Sequence, residues 1–157
     1  MAGGNSTRMG HDKGAINYHG KAHREYLADL LNGFCSQTYL SVQNESIDFQ
    51  TQYSIISDAF LNLGPYGGIL SAFKQDPNSA WLVVATDLPL LDATTLKALL
   101  ANRDKSKMAS CFHNPETAFP EPLLTLWEPR AYPILLQFLA HGYSCPRKVL
   151  INSDINE

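Results

Sequence analysis

Residues 2 to 13 read Ala-Gly-Gly-Asn-Ser-Thr-Arg-Met-Gly-His-Asp-Lys. Glycines let a loop turn its backbone N–H groups toward a ligand with no Cβ in the way. Consecutive N–H groups turned to one side make an anion-binding concavity. Arg8 and Lys13 bring two positive charges to the same loop, and Ser6 and Thr7 bring hydroxyl donors. These residue types in this order suit a phosphate cradle. The loop is neither G-x-x-x-x-G-K-[ST] nor G-x-G-x-x-G. On composition alone it also reads as a polar, glycine-rich terminus.

Two aspartates have the right type and placement to act beside such a cradle. Asp58 closes the run Tyr53–Ser57 and precedes Gly64-Pro65-Tyr66-Gly67-Gly68-Ile69-Leu70, a turn that feeds a helix. The first turn of that helix is expected to offer N–H groups to an anion. Asp87 follows the apolar run Trp81–Thr86 and precedes Leu88-Pro89, where the proline holds Leu88 extended. A carboxylate beside nucleotide phosphates is a donor set for Mg²⁺, which binds through one or two carboxylates plus phosphate oxygens. By residue type, both aspartates read equally as turn or helix-capping residues. The five histidines show no metal-ligand spacing.

The elements that must carry these residues follow from periodicity. The spacing predicts helices over 23–33, 67–75, 94–102 (with Asp92 as its cap) and 130–141. Strands are expected at 38–42, 53–57, 81–86, 108–112 and 123–127, with 147–151 a short helix or strand. A short extended piece is expected at 16–21, and 44–52 reads as a loop. The run Trp-Leu-Val-Val-Ala-Thr suits a strand buried on both faces. Alternating strands and helices predict an α/β domain with a mostly parallel sheet. In such a sheet ligands sit beyond the carboxyl ends of the strands, where the loop, Asp58 and Asp87 all fall.

Composition narrows the function. The 157 residues suit one domain. A net charge of −3, from 12 basic and 15 acidic side chains, argues against binding nucleic acid through bulk positive charge. Three widely spaced cysteines, Cys35, Cys111 and Cys145, make neither a disulfide framework nor a C-x-x-C pair. No apolar run approaches the ~20 residues of a membrane span. The expectation is a cytoplasmic protein with neither a membrane nor a nucleic acid as partner.

The loop resembles the signature L-A-G-G-x-S-x-R-M-G-x-D-K of the molybdenum cofactor guanylyltransferase family. Gly64-Pro65-Tyr66-Gly67-Gly68-Ile69-Leu70 is similar to the family's G-P-L-A-G-I-L, with Tyr66 for Leu and Gly67 for Ala. Asp87-Leu88-Pro89-Leu90-Leu91 resembles its metal-binding D-x-P-x-[LI]. The resemblance implies an α/β three-layer sandwich, a glycosyltransferase-A-like nucleotidyltransferase fold with a mostly parallel sheet. It implies that Ala2, Gly3, Gly4, Ser6 and Lys13 hold the nucleotide together with Asn44, Asp58, Gly64 and Asp87. It assigns phosphate neutralisation to Lys13 and Arg8, and Mg²⁺ to Asp87, with Arg8, Lys13 and Asp87 as the catalytic set. Phe119–Leu126 resembles the segment on the pterin side, with Pro120 and Pro122 as a stiff turn.

The activity implied is transfer of GMP from GTP to the molybdopterin cofactor with release of pyrophosphate. Transient contact with other molybdenum cofactor assembly proteins goes with it. The alternatives are cytidylyl or sugar-phosphate transfer, and a truncated nucleotide-binding module without catalysis. The family has an apolar strand before the loop and an N-x-N-T-P-E-like segment at its C-terminal end. Residues 1–157 are expected to form a single domain lacking that first strand and that end, with Asp154-Ile155-Asn156 a faint echo of the latter. A sheet without its first strand would carry unpaired edges in its middle.

Overall fold

The structure, a computed structural model, describes residue 1, residues 22–44 and residues 50–157. The expected piece at 16–21 and the glycine-rich loop lie outside the described residues. Among the described residues, five helices and five strands follow in order: α1 (His23–Asn32), β1 (Tyr39–Val42), β2 (Ser54–Ser57), α2 (Pro65–Gln75), β3 (Trp81–Val84), α3 (Ala93–Ala101), β4 (Ala109–Asn114), β5 (Phe119–Trp127), α4 (Ala131–Ala140) and α5 (Pro146–Ile151). The α/β class is as the periodicity predicts.

The pairings run in both directions. Among the described residues, β1 and β2 form a parallel pair, and β3–β5–β4 is an antiparallel ladder. The antiparallel part arises because β4 and β5 form a hairpin turned at 115–118, where Ala118 takes a φ of 57°. The chain's end adds a further edge to β4. Cys111 N–H donates to the Asn156 carbonyl at 3.0 Å and Asn156 N–H to that of Ala109 at 2.9 Å.

Pro120 and Pro122 are not a stiff turn but residues of β5. This is sterically allowed because β3 pairs only with Leu124–Trp127, so the start of β5 is an edge on that side, where a missing N–H breaks no ladder.

The continuous apolar run of β3 is explained by its two faces. Val83 joins a core of Tyr66, Leu70, Phe73, Trp127, Leu135 and Leu150, beside α2, α4 and α5. Val84 joins a second core with Leu27, Leu91, Leu96, Leu99 and Leu124, beside α1 and α3. The strand ends two residues earlier than its apolar run, because Thr86 and Asp87 form a turn.

β1 and β3 are not paired with each other. A cavity of about 290 Å³ separates them, lined by Tyr39 and Ser41 on one side and Trp81, Val83 and Val84 on the other. Met1 sits in it, its amine donating to the Val84 carbonyl at 2.8 Å.

Helix α2 is the structural pillar. Its residues Tyr66 to Phe73 are all buried. Gly64, its N-cap, has φ 55° and ψ −136°, a backbone state that a side chain disfavours. The Tyr66 hydroxyl donates to the Leu135 carbonyl at 2.7 Å, which resolves the polar cost of a buried tyrosine where the family motif has leucine. Gly67 lies against the Phe60 carbonyl, so closely that a methyl group there would overlap the oxygen. Backbone cannot swing aside as a side-chain tip can. Gly67→Ala is therefore expected to lose about 1–3 kcal/mol in urea unfolding. An unchanged midpoint would show that this contact is not tight.

Candidate functional site

The carboxyl ends of β2 and β3 place Asp58 and Asp87 at one locus. The Met1 amine donates to the Val84 carbonyl at 2.8 Å, three residues before Asp87, and the Met1 side chain reaches Gly68, where the Asp58 carboxylate lies. Burial lowers the pKa of that amine to about 6, against the raising effect of Asp87 and Asp58. Residue 1 leads directly into the glycine-rich loop, so the chain enters the loop beside both acidic side chains.

Asp58 is held on both sides by backbone contacts. Its N–H continues the β1–β2 ladder, donating to the Val42 carbonyl at 2.9 Å. The next N–H, of Ala59, donates to the Ser71 hydroxyl at 2.8 Å, and Ser71 in turn donates to the Gly67 carbonyl at 2.6 Å. Gly67 and Gly68 keep the first turn of α2 free of side chains where the carboxylate lies. A Cβ on Gly67 would sit 3.5 Å from Oδ2, and one on Gly68 3.6 Å from Oδ1. Asp58 is half-buried, and among the described residues its Oδ1 is buried with no hydrogen-bond partner. Burial therefore raises its pKa above the ordinary value, and the Met1 amine lowers it in part. An acceptor atom desolvated without a donor is positioned to take one from a ligand.

Asp87 is exposed, on the turn that leaves β3. Before it, Ala85 N–H donates to the Leu123 carbonyl at 2.9 Å. After it, the Leu88 carbonyl accepts from Leu91 N–H at 3.2 Å, and Leu88 and Leu91 pack into the core beside α1 and α3. Asp92 then caps α3, its side chain accepting from Thr95 N–H at 2.8 Å. A hard, exposed carboxylate on a pinned turn fits the donor chemistry of Mg²⁺. Among the described residues, no three His, Cys, Asp or Glu side chains are grouped to hold a metal.

Several expected site residues fall elsewhere. Ala2, Gly3, Gly4, Ser6, Arg8 and Lys13 lie outside the described residues. Gly64 and Asn44 are described, Gly64 at the start of α2 and Asn44 exposed just beyond β1. The N–H groups expected free at the start of α2 are partly used, since those of Gly67 and Gly68 meet the Gly64 carbonyl at 3.1 and 3.4 Å. The C-terminal echo is occupied with structure. Asp154 pairs with Lys107 at 2.6 Å, and the Asn156 side chain donates to the Asn102 carbonyl at 2.5 Å. Sequence reasoning missed Ser71, which clamps the residue after Asp58. A serine inside an apolar helix carries no pattern that would single it out.

The model for the MobA-like NTP transferase domain matches residues 1–154. The chain belongs to the MobA-like NTP transferase domain family. A molybdenum cofactor biosynthesis bifunctional protein of Synechocystis sp. is 34% identical over 98% of the chain, which spans only 45% of that relative. The molybdenum cofactor guanylyltransferase of Xanthomonas euvesicatoria is 30% identical, with 98% of this chain and 82% of the relative covered. In structure, the molybdopterin-guanine dinucleotide biosynthesis protein A of Archaeoglobus fulgidus superposes with a TM-score of 0.78 at 22% identity. That likeness covers 99% of this chain and 78% of the other, and it carries the fold.

In this MobA-like domain the strained state of Asp58 has a measurable sign. Its folded pKa is raised, so the native state holds its proton to higher pH than the unfolded chain does. Stability from this group is then lost as pH rises from the ordinary value of 3.8 through the raised one. Asp58→Asn removes the buried charge. Its melting temperature is expected to exceed that of the parent at neutral pH, with the gap closing as pH falls to about 4. A lower melting temperature at neutral pH would contradict the desolvation account.

Proposed function

We propose that this chain transfers GMP from GTP to molybdopterin, forming the guanine dinucleotide and pyrophosphate. The observation that carries the reading is that the strand ends bearing Asp58 and Asp87 both meet residue 1, where the A-G-G-N-S-T-R-M-G-H-D-K loop begins. Relatives that match 98% of this chain are named molybdenum cofactor guanylyltransferase. In the reaction, a phosphate oxygen of molybdopterin forms a bond to the α-phosphorus of GTP as the bond to the β-phosphate oxygen breaks. Pyrophosphate leaves with the bonding electron pair.

No protein nucleophile is needed for that exchange, and positioning with charge neutralisation supplies the catalysis. The loop backbone at Ala2, Gly3 and Gly4 cradles the phosphates, with Ser6 donating and Lys13 and Arg8 offsetting their charge. Asp58, whose Oδ1 has no donor among the described residues, accepts from the guanine edge. Gly64 shapes the pocket turn, and Asn44 reaches the nucleotide from the end of β1. Asp87 is the residue to hold Mg²⁺, which when bound supplies charge stabilisation to the phosphate oxygens. A cytoplasmic enzyme that meets other cofactor-assembly proteins transiently completes the reading.

The test is product analysis with molybdopterin, Mg²⁺ and either GTP or CTP. The expected outcome is the guanine dinucleotide with GTP, little product with CTP, and none when the metal is chelated. Asp87→Ala should lower transfer on the order of 100-fold while the melting temperature holds. Cytosine dinucleotide as the main product would make it a cytidylyl enzyme. GTP binding without any product would make it a binding module, and normal turnover by Asp87→Ala would remove Asp87 from the site.

A further inference from the structure

His23, the first residue of α1, is completely buried. Burying an imidazole is costly unless its nitrogens are hydrogen-bonded, and a leucine here would pack without that cost. Its Nε2 lies 3.2 Å from the carbonyl oxygen of Leu88, 65 residues away. A carbonyl oxygen only accepts, so Nε2 carries the proton and donates. The ring stacks on Tyr26 with centroids 6.0 Å apart and planes at 16°, which sets its orientation.

The Leu88 carbonyl belongs to the peptide immediately after the one that joins Asp87 to Leu88. It therefore accepts from two directions, from His23 on α1 and from Leu91 N–H within its own turn. Pro89 follows and has no N–H of its own to anchor the chain. Contacts that fix the turn beyond Asp87 include the two bonds to this oxygen and the packing of Leu88 and Leu91.

We propose that His23 is a positioning residue for Asp87. By donating to the Leu88 carbonyl it fixes the direction in which the Asp87 carboxylate meets its metal. The proposal rests on the reading of Asp87 as a metal-holding residue. Groups that orient a ligand from behind commonly change metal affinity by 10- to 100-fold when removed. Nothing in the residue pattern announces the role, because His23 sits alone and its partner is a backbone atom.

The test compares the parent chain with His23→Leu, His23→Asn and His23→Gln. Glutamine places an amide N–H near the position of Nε2, asparagine is too short to reach, and leucine has no donor. Two readouts are taken in the presence of GTP, Mn²⁺ binding by electron paramagnetic resonance and amide hydrogen exchange over residues 86–92. The expected result is Mn²⁺ affinity about tenfold weaker and exchange faster across 86–92 in the leucine and asparagine variants. Glutamine should restore both, and exchange over α2 should not change. Parent-like exchange and affinity in the asparagine variant overturn the proposal, as does a glutamine variant as impaired as leucine. If Asp87→Asn leaves Mn²⁺ binding unchanged, the metal reading fails and the affinity part of the proposal falls with it. The exchange pattern then shows separately whether His23 still orders the turn.

Discussion

Burial of α2 on every face from Tyr66 to Phe73 is the constraint from which the rest follows. A helix turn made of Pro65, Tyr66, Gly67 and Gly68 can press against the chain that leaves β2, because two of its residues present no side chain. The Phe60 carbonyl occupies the space at Gly67, and Ser71 one turn on takes the Ala59 N–H. Asp58 is thereby carried into a half-buried position, with one oxygen buried and, among the described residues, without a hydrogen-bond partner. The packing that stabilises α2 and the desolvation that readies Asp58 are one arrangement. Proteins commonly store such unsatisfied groups at functional sites and compensate for them elsewhere. Here the compensation is a core of Leu70, Phe73, Trp127 and Leu135 around the same helix.

Asp87 is prepared differently. It remains exposed, and it is the backbone on both sides that is fixed. β3 ends with Val83 and Val84 anchored in two separate cores, and the turn beyond is tied back to α1 through Leu88. Placement at the end of a strand buried on both faces gives a small carboxylate a defined origin. The net charge of −3 is compatible with the proposed anionic ligand, for which the reading assigns the positive charge to Arg8 and Lys13.

Much of this was legible in the residues. Asp92 caps α3 as its spacing predicts, and α1 stops at Gly33. Asp58 and Asp87 stand at strand ends because apolar runs of the right length precede them. Other features were not legible for physical reasons. Pairing direction depends on how hairpins close, so the antiparallel β3–β5–β4 ladder was invisible to periodicity. Pro120 and Pro122 looked like a turn because the edge character of early β5 follows from the short length of β3. His23 and Ser71 act through backbone atoms distant in sequence, and no local pattern encodes such partners.

The central claim is that Asp58 and Asp87 serve one nucleotide. Amide hydrogen exchange with and without Mg²⁺ and GTP tests it most directly. The account predicts simultaneous slowing over 57–60, 64–68 and 85–88, saturating at a single GTP concentration. Protection of one aspartate segment alone, or protection confined to the cavity between β1 and β3, would contradict it.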